Sequence, residues 1–289
     1  MSLIVDHVTK EFRIRKGFKS SFLKAVDDVS FTLDPGKTIA LVGESGSGKS
    51  TIAKMIMRLE APTKGSITVD GISSLAKGAE AQEYLHLVQM VYQDPFASLN
   101  PFHTIQHHIE RPLRIHGKVK TRQEADEQVQ ELLSRVNLEP PESYASRNPH
   151  ELSGGQRQRV AIARALAPGA KYLVADEPVS MLDVSIRLSV LNLLARLQRE
   201  DNLGVLYITH DLATARHFSD EIMVLYKGKV VERGPSDEVI LNPQHKYTKL
   251  LLSAAPVPAN HGKLRDSVRA EIAAGGDFDQ FGKGVLAED

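Results

Sequence analysis

Gly43-Glu44-Ser45-Gly46-Ser47-Gly48-Lys49-Ser50 constrains this chain more than any other stretch of it. The segment fits G-x-x-x-x-G-K-[ST] and stands between a short apolar run, Thr38–Val42, and a helical pattern, Thr51–Leu59. A strand, a glycine loop and a helix in that order make an anion cradle. The glycines let successive backbone N–H groups turn inward around phosphate oxygens, and the helix points its positive end at the same anion. Lys49 adds a point charge near the β- and γ-phosphates, Ser50 a hydroxyl ligand for Mg²⁺, and Thr51 continues the turn.

A second apolar run, Tyr172–Ala175, delivers two adjacent carboxylates, Asp176 and Glu177. Ligands of open α/β sheets bind at the carboxyl edge of such strands. Asp176 is placed to hold Mg²⁺, and Glu177 to orient or deprotonate an attacking water. Val205–Thr209 is a third buried run. Each run leads through a loop into a helical pattern, which implies a parallel sheet covered by helices. Leu3–Phe12 and Ala25–Leu33 alternate apolar and polar residues, as an antiparallel sheet does. Ser66–Asp70, Glu221–Leu225 and Lys229–Val231 read as further strands, with turns at Asp70-Gly71 and Lys227-Gly228.

Residues 96–150 lack strand signals and read as an inserted helical lobe. Thr121 and Glu124 form a capping box, and Val129, Leu132, Leu133 and Val136 share one face of the helix that follows. Asn137 and Pro140-Pro141 end it. The rest divides at about 255 into the α/β domain, 1–255, and a tail, 256–289. In the tail Leu264, Val268 and Ile272 fall four apart, as in one short amphipathic helix.

Lys+Arg and Asp+Glu number 36 each, a balance that argues against a dedicated nucleic-acid binder. The chain has no cysteine, which excludes disulfides, thiolate metal sites and cysteine nucleophiles. The N-terminal residues have no signal-peptide pattern, and no apolar run approaches the ~18–20 residues that span a bilayer.

Leu152-Ser153-Gly154-Gly155-Gln156 precedes a long helical pattern and makes a second anion-binding helix start. With this segment the sequence resembles the ABC ATPases, whose signature is LSGGQ. The resemblance implies a P-loop NTPase: an α/β fold with a RecA-like parallel sheet, an N-terminal antiparallel β-subdomain and an inserted α-helical subdomain. It implies ATP and Mg²⁺, and a signature that reaches across a dimer to the γ-phosphate on the partner's loop. Gln93 matches the glutamine that senses Mg²⁺ and γ-phosphate, and Asp183 an aspartate at the dimer interface, where Met181 replaces the usual Ala. His210 matches the histidine that contacts γ-phosphate and holds the catalytic glutamate. Phe12 matches the adenine-stacking aromatic, usually Tyr, and reads equally as a half-buried strand aromatic.

Longer stretches narrow the resemblance. Tyr92–Pro101, Asn148–Gly155, Asp176–Ser180 and Asn242–Leu251 look like the oligopeptide/dipeptide-type importers, over roughly Leu3 to Pro258; beyond Pro258 no pattern is evident. That branch implies a second ABC ATPase subunit, paralogue or second copy, two transmembrane permease subunits and a substrate-binding protein reached through them. It implies a peripheral place on the cytoplasmic face of the inner (plasma) membrane, and no nucleic acid. The alternative class is a soluble ABC ATPase acting on DNA or ribosomes, which would carry tandem cassettes, coiled coils or basic arms. His103, His107, His108 and His116 offer two ligands on one helical face but no third at clear spacing, so a polar coupling surface is the better reading. The basic stretch Arg13–Lys24, with its two phenylalanines, is of a kind that binds nucleic acid or an anionic membrane, but reads better as an exposed hairpin near the nucleotide base.

Overall fold

The computed structural model describes residues 1–16 and 19–254. The first part runs β1 (Leu3–Lys16), β2 (Lys19–Leu33), β3 (Thr38–Val42), α1 (Lys49–Ile56), β4 (Lys64–Val69), β5 (Ile72–Ser73), α2 (Gly78–Leu87) and β6 (Val88–Val91). Then come α3 (Pro95–Ser98), α4 (Ile105–Ile115), α5 (Arg122–Arg135), α6 (Pro141–Ala145) and a 3₁₀ turn at Pro149–Glu151. The last part is α7 (Gly154–Leu166), β7 (Tyr172–Asp176), α8 (Val184–Glu200), β8 (Gly204–Thr209), α9 (Leu212–Phe218), β9 (Glu221–Tyr226), β10 (Lys229–Pro235), α10 (Ser236–Leu241) and α11 (Lys246–Ala254).

Two sheets result. The antiparallel one has the order β2-β1-β4-β5, and the mostly parallel one β10-β9-β3-β8-β7-β6, with β10 antiparallel at its edge. Every residue of β3 and of β8 is buried, as strands covered on both faces require. In β1 the inward set passes from Leu3 and Val5 to Val8, out of phase by one. The register shifts there, and His7 takes a positive φ of 48°, so a bulge lets the alternation resume on the same face.

One core fills the space between the two sheets around α1, with Leu3, Val29, Ile52, Met55 and Ile208 fully buried. A second lies on the other face of the parallel sheet and continues into the helical lobe through α7 and α8. The lobe helices run from Pro95 to the turn at Pro149. Thr121 Oγ1 accepts from Glu124 N at 3.1 Å, and Glu124 Oε2 accepts from Thr121 N at 3.2 Å, which completes the capping box of α5. Val129, Leu132, Leu133 and Val136 are all buried, and Asn137 leaves the helix with φ 57°. The strands expected from the sequence are present; β5, β6 and α2 are additions to that reading. The expected helix over 264–272 lies outside the described residues.

Candidate functional site

Four neighbouring strands, β3, β8, β7 and β6, end on one edge of the parallel sheet. The loop from Gly43 follows β3, His210 follows β8, Glu177 follows β7 and Gln93 lies two residues past β6. Parallel pairing alone therefore gathers them, as it does ligand groups in open α/β sheets generally.

Close packing leaves no room for a side chain at two of the loop's three glycines. Gly43 has φ 155°, and a Cβ there would collide with the Leu225 carbonyl oxygen. Gly48 has φ 113° and would meet the Ala25 carbonyl oxygen. Gly48 also sits at the N-cap of α1, which has no side-chain cap, so the first N–H groups of the helix face the loop. Lys49 is 5% exposed. Its ammonium donates to the carbonyls of Gly43 at 2.6 Å and Glu44 at 2.8 Å. Burial pulls its pKa below the ordinary lysine value, against the opposing fields of Glu177, Asp176 and Glu44. Ser47 Oγ is buried with no hydrogen-bond partner, while Ser45, Gly46 and Ser50 are open to solvent. An inward ammonium, an orphaned hydroxyl and a cradle that admits no Cβ at Gly43 or Gly48 fit a polyphosphate.

Asp176 is half-buried, and burial raises its carboxyl pKa; the Ser50 hydroxyl hydrogen-bonds it and lowers the pKa, as Lys49 also does. Hydroxyl and carboxylate together make an all-oxygen set of the kind Mg²⁺ takes. Glu177 follows with φ 45°, its N–H bonded to the Ile208 carbonyl at 2.9 Å. That left-handed turn aims the carboxylate along the sheet edge. Gln93 Nε2 donates to its Oε2 at 3.0 Å, and His210 Nδ1 lies 3.2 Å from its Oε1. Glu177 thus bridges the two residues.

Ser153, Gly154, Gly155 and Gln156 start α7 elsewhere. Gln156 N donates to Ser153 Oγ at 3.3 Å and Ser153 N to Gln156 Oε1 at 2.9 Å, a capping box absent from the sequence reading. Among the described residues none of these four, nor exposed Asp183 at the N-cap of α8, hydrogen-bonds to the phosphate loop. Phe12 is half-buried on the β1–β2 hairpin opposite Leu23, with the Lys10 ammonium 4.9 Å over its ring. Of the histidines, His108 is buried against the Asn100 carbonyl at 3.0 Å, and His103 stacks on His107 at 4.1 Å. Among the described residues no three His, Asp or Glu groups are placed to hold a metal.

One contact has no counterpart in the sequence reading. The Tyr247 hydroxyl, on α11, accepts from Glu44 N at 3.0 Å, so the C-terminal part of the chain touches the phosphate loop. No local pattern signals a pairing across so much chain.

The family model described as ABC transporter matches residues 26–180, more than half of the chain. The chain belongs to the ABC transporter ATP-binding family. As such it is an ATPase that binds ATP. A second model, the oligopeptide/dipeptide transporter C-terminal region, matches residues 231–283. It runs past Pro258, where the sequence reading found no pattern, and so corrects it. The ABC subunit is 48% identical over 263 residues to the oligopeptide transport ATP-binding protein AppF of Bacillus subtilis, covering 89% of this chain and 79% of that one. It is 45% identical to the dipeptide transport ATP-binding protein DppF of Haemophilus influenzae, covering 86% and 76%. The glutathione import ATP-binding protein GsiA of Pectobacterium atrosepticum is 47% identical, over 92% of this chain and 43% of that longer one. A dimeric ATP-binding cassette solved in a post-hydrolysis state bound to ADP and Pi superposes with a TM-score of 0.70 at 31% identity, over 81% of this chain and 98% of that one. The fold is therefore that of the ABC ATPase cassettes, as the sequence implies.

Proposed function

We propose that this subunit hydrolyses ATP between two cassettes and thereby drives import of a peptide-class solute through a membrane permease. The bridge from Glu177 to Gln93 and His210, set beside Lys49 and the Ser50–Asp176 pair, carries the catalytic part. Lys49 leaves its main-chain carbonyls for the phosphates, while Gly43 to Thr51 enclose them. Mg²⁺, held by Ser50 and Asp176 with Gln93 near, would neutralise charge on the phosphate oxygens. Glu177 takes the proton of the attacking water, and His210 fixes its carboxylate. Phe12 offers a ring face to adenine.

The signature supports a composite site. Ser153 to Gln156 present a helix start that does not join this chain's own loop, so they serve ATP on a partner cassette, with Asp183 at the same interface. The partner is a paralogue or a second copy. The importer reading rests on the matched C-terminal region and on relatives named for oligopeptides, dipeptides and glutathione. It supports two permease subunits and a substrate-binding protein reached through them. A cavity of about 660 Å³ between sheet and lobe, lined by Met57, Tyr92, Gln93, Pro112, Ile115 and His116, offers a permease segment a seat beside Gln93. No helix among the described residues is long and apolar enough to cross a membrane, which accords with a peripheral place on the cytoplasmic face. The same matches disfavour a DNA- or ribosome-directed ATPase.

The test is Glu177→Gln beside wild type. ATP binding should persist, hydrolysis should fall by about 10²–10⁴-fold, and the variant should accumulate as a dimer with Mg-ATP, read by light scattering. Wild-type turnover would remove Glu177 from the chemistry. A variant that binds ATP yet stays monomeric would mean an obligate unlike partner.

A further inference from the structure

We infer that Tyr247 is a positioning residue for nucleotide binding: its hydroxyl fixes the Gly43–Glu44 peptide and so ties the C-terminal region to the phosphate loop. The inference rests on the loop's assignment to ATP. Gly43 C=O and Glu44 N–H belong to one rigid peptide plane. Its carbonyl accepts from Lys49 Nζ at 2.6 Å, and its N–H donates to Tyr247 Oη at 3.0 Å. The plane is thus held from both ends. When Lys49 turns to a phosphate, the carbonyl loses that partner and only the tyrosine end remains among these two. A peptide free to rotate would swing the loop's entrance out of line with the anion it must meet.

The seat of Tyr247 is built for this. The residue is fully buried although its helix starts from an exposed loop. Its ring lies 4.3 Å from that of Tyr226, and Tyr226 directly follows Leu225, whose carbonyl oxygen crowds Gly43. The start of α11 is fastened to β10: Glu232 accepts from Gln244 N at 2.7 Å and from His245 N at 3.0 Å. His245 Nδ1 in turn accepts from Tyr247 N at 3.2 Å. Burial raises the phenol pKa to about 12, so the hydroxyl is protonated and neutral throughout the working range of an ATPase.

Tyr247→Phe removes one oxygen and keeps the ring and its stacking. In the full chain, titration with a fluorescent ATP analogue should show a Kd raised about five-fold, the worth of one hydrogen bond. KM for ATP should rise in step, with kcat within about two-fold, and the nucleotide-free melting temperature should fall by no more than about 2–4 °C, since the bond is present without nucleotide as well. Wild-type Kd and KM would overturn the inference. So would a lowered melting temperature with affinity intact, which marks a packing group only. Lys49→Ala, titrated in parallel, separates the two readings: retained ATP binding there would overturn the loop's assignment, whereas failure of Tyr247→Phe alone leaves that assignment standing.

Discussion

Gly155 stands where the first turn of α7 presses on α8, and a Cβ there would lie 2.5 Å from Ile186 Cγ2. A glycine in a helix is otherwise unfavourable by about 1 kcal/mol relative to alanine. The contact therefore outweighs propensity at this position. Gly155→Ala should destabilise the chain by about 1–3 kcal/mol through overpacking, measured by urea unfolding. In an Ile186→Ala background the same change should cost far less; a single variant as stable as wild type would show that α8 yields freely. Gly154, one residue earlier, has only an ordinary contact at 3.4 Å with Leu182, so the alanine variant there should cost far less. The two glycines of the signature thus do different work: one permits packing, and the other leaves the helix start bare.

At the scale of elements, α5 shows how local chemistry sets a boundary. Its start is fixed by the reciprocal Thr121–Glu124 pair, and backbone hydrogen bonds from Lys120 and Thr121 hold the Glu124 carboxyl below its ordinary pKa. Thr121→Ala should cost about 0.5–2 kcal/mol in an unfolding curve and leave ATP hydrolysis by the isolated subunit unchanged. A loss of ATP binding would show that the lobe is coupled to the loop more directly than its packing indicates. This capping box was legible because both partners lie within four residues. The strands β3, β7 and β8 were legible because burial on both faces demands unbroken apolar runs. Strand β6 was not: Val88-Gln89-Met90-Val91 is short, interrupted by a polar residue and joined to α2 without a turn, so no boundary signal exists. The capping box at Ser153 and Gln156 was hidden behind the glycines between them. Tyr247 was out of reach for a different reason, since its partner is adjacent in the fold but lies near the other end of the chain.

Across the whole molecule, Asp70 joins the two sheets. It sits in the β4–β5 turn of the antiparallel sheet, its side chain 6% exposed, and takes Lys171 Nζ at 2.8 Å and the Tyr172 hydroxyl at 2.9 Å from the head of β7. Burial and this carboxylate raise the Tyr172 pKa well above that of a free phenol. Asp70→Ala should lower stability by about 1.5–3 kcal/mol, the range for a hydrogen bond to a charged group. Because Asp70 meets β7 at the end opposite Asp176, KM for ATP should hold, and a raised KM would mean that strain travels the length of the strand.

The bridged carboxylate has a consequence for timing. Both oxygens of Glu177 are engaged in the resting chain, one by Gln93 and one by His210. Each oxygen keeps a second lone pair for a water proton, so on the proposed chemistry the two neighbours set the aim of the base without blocking it. Gln93 borders the cavity proposed for the permease, so of the two neighbours it is the one a seated permease segment would move. Docking of the permease would then retune the base itself, so turnover by the lone subunit and by the assembled one should differ.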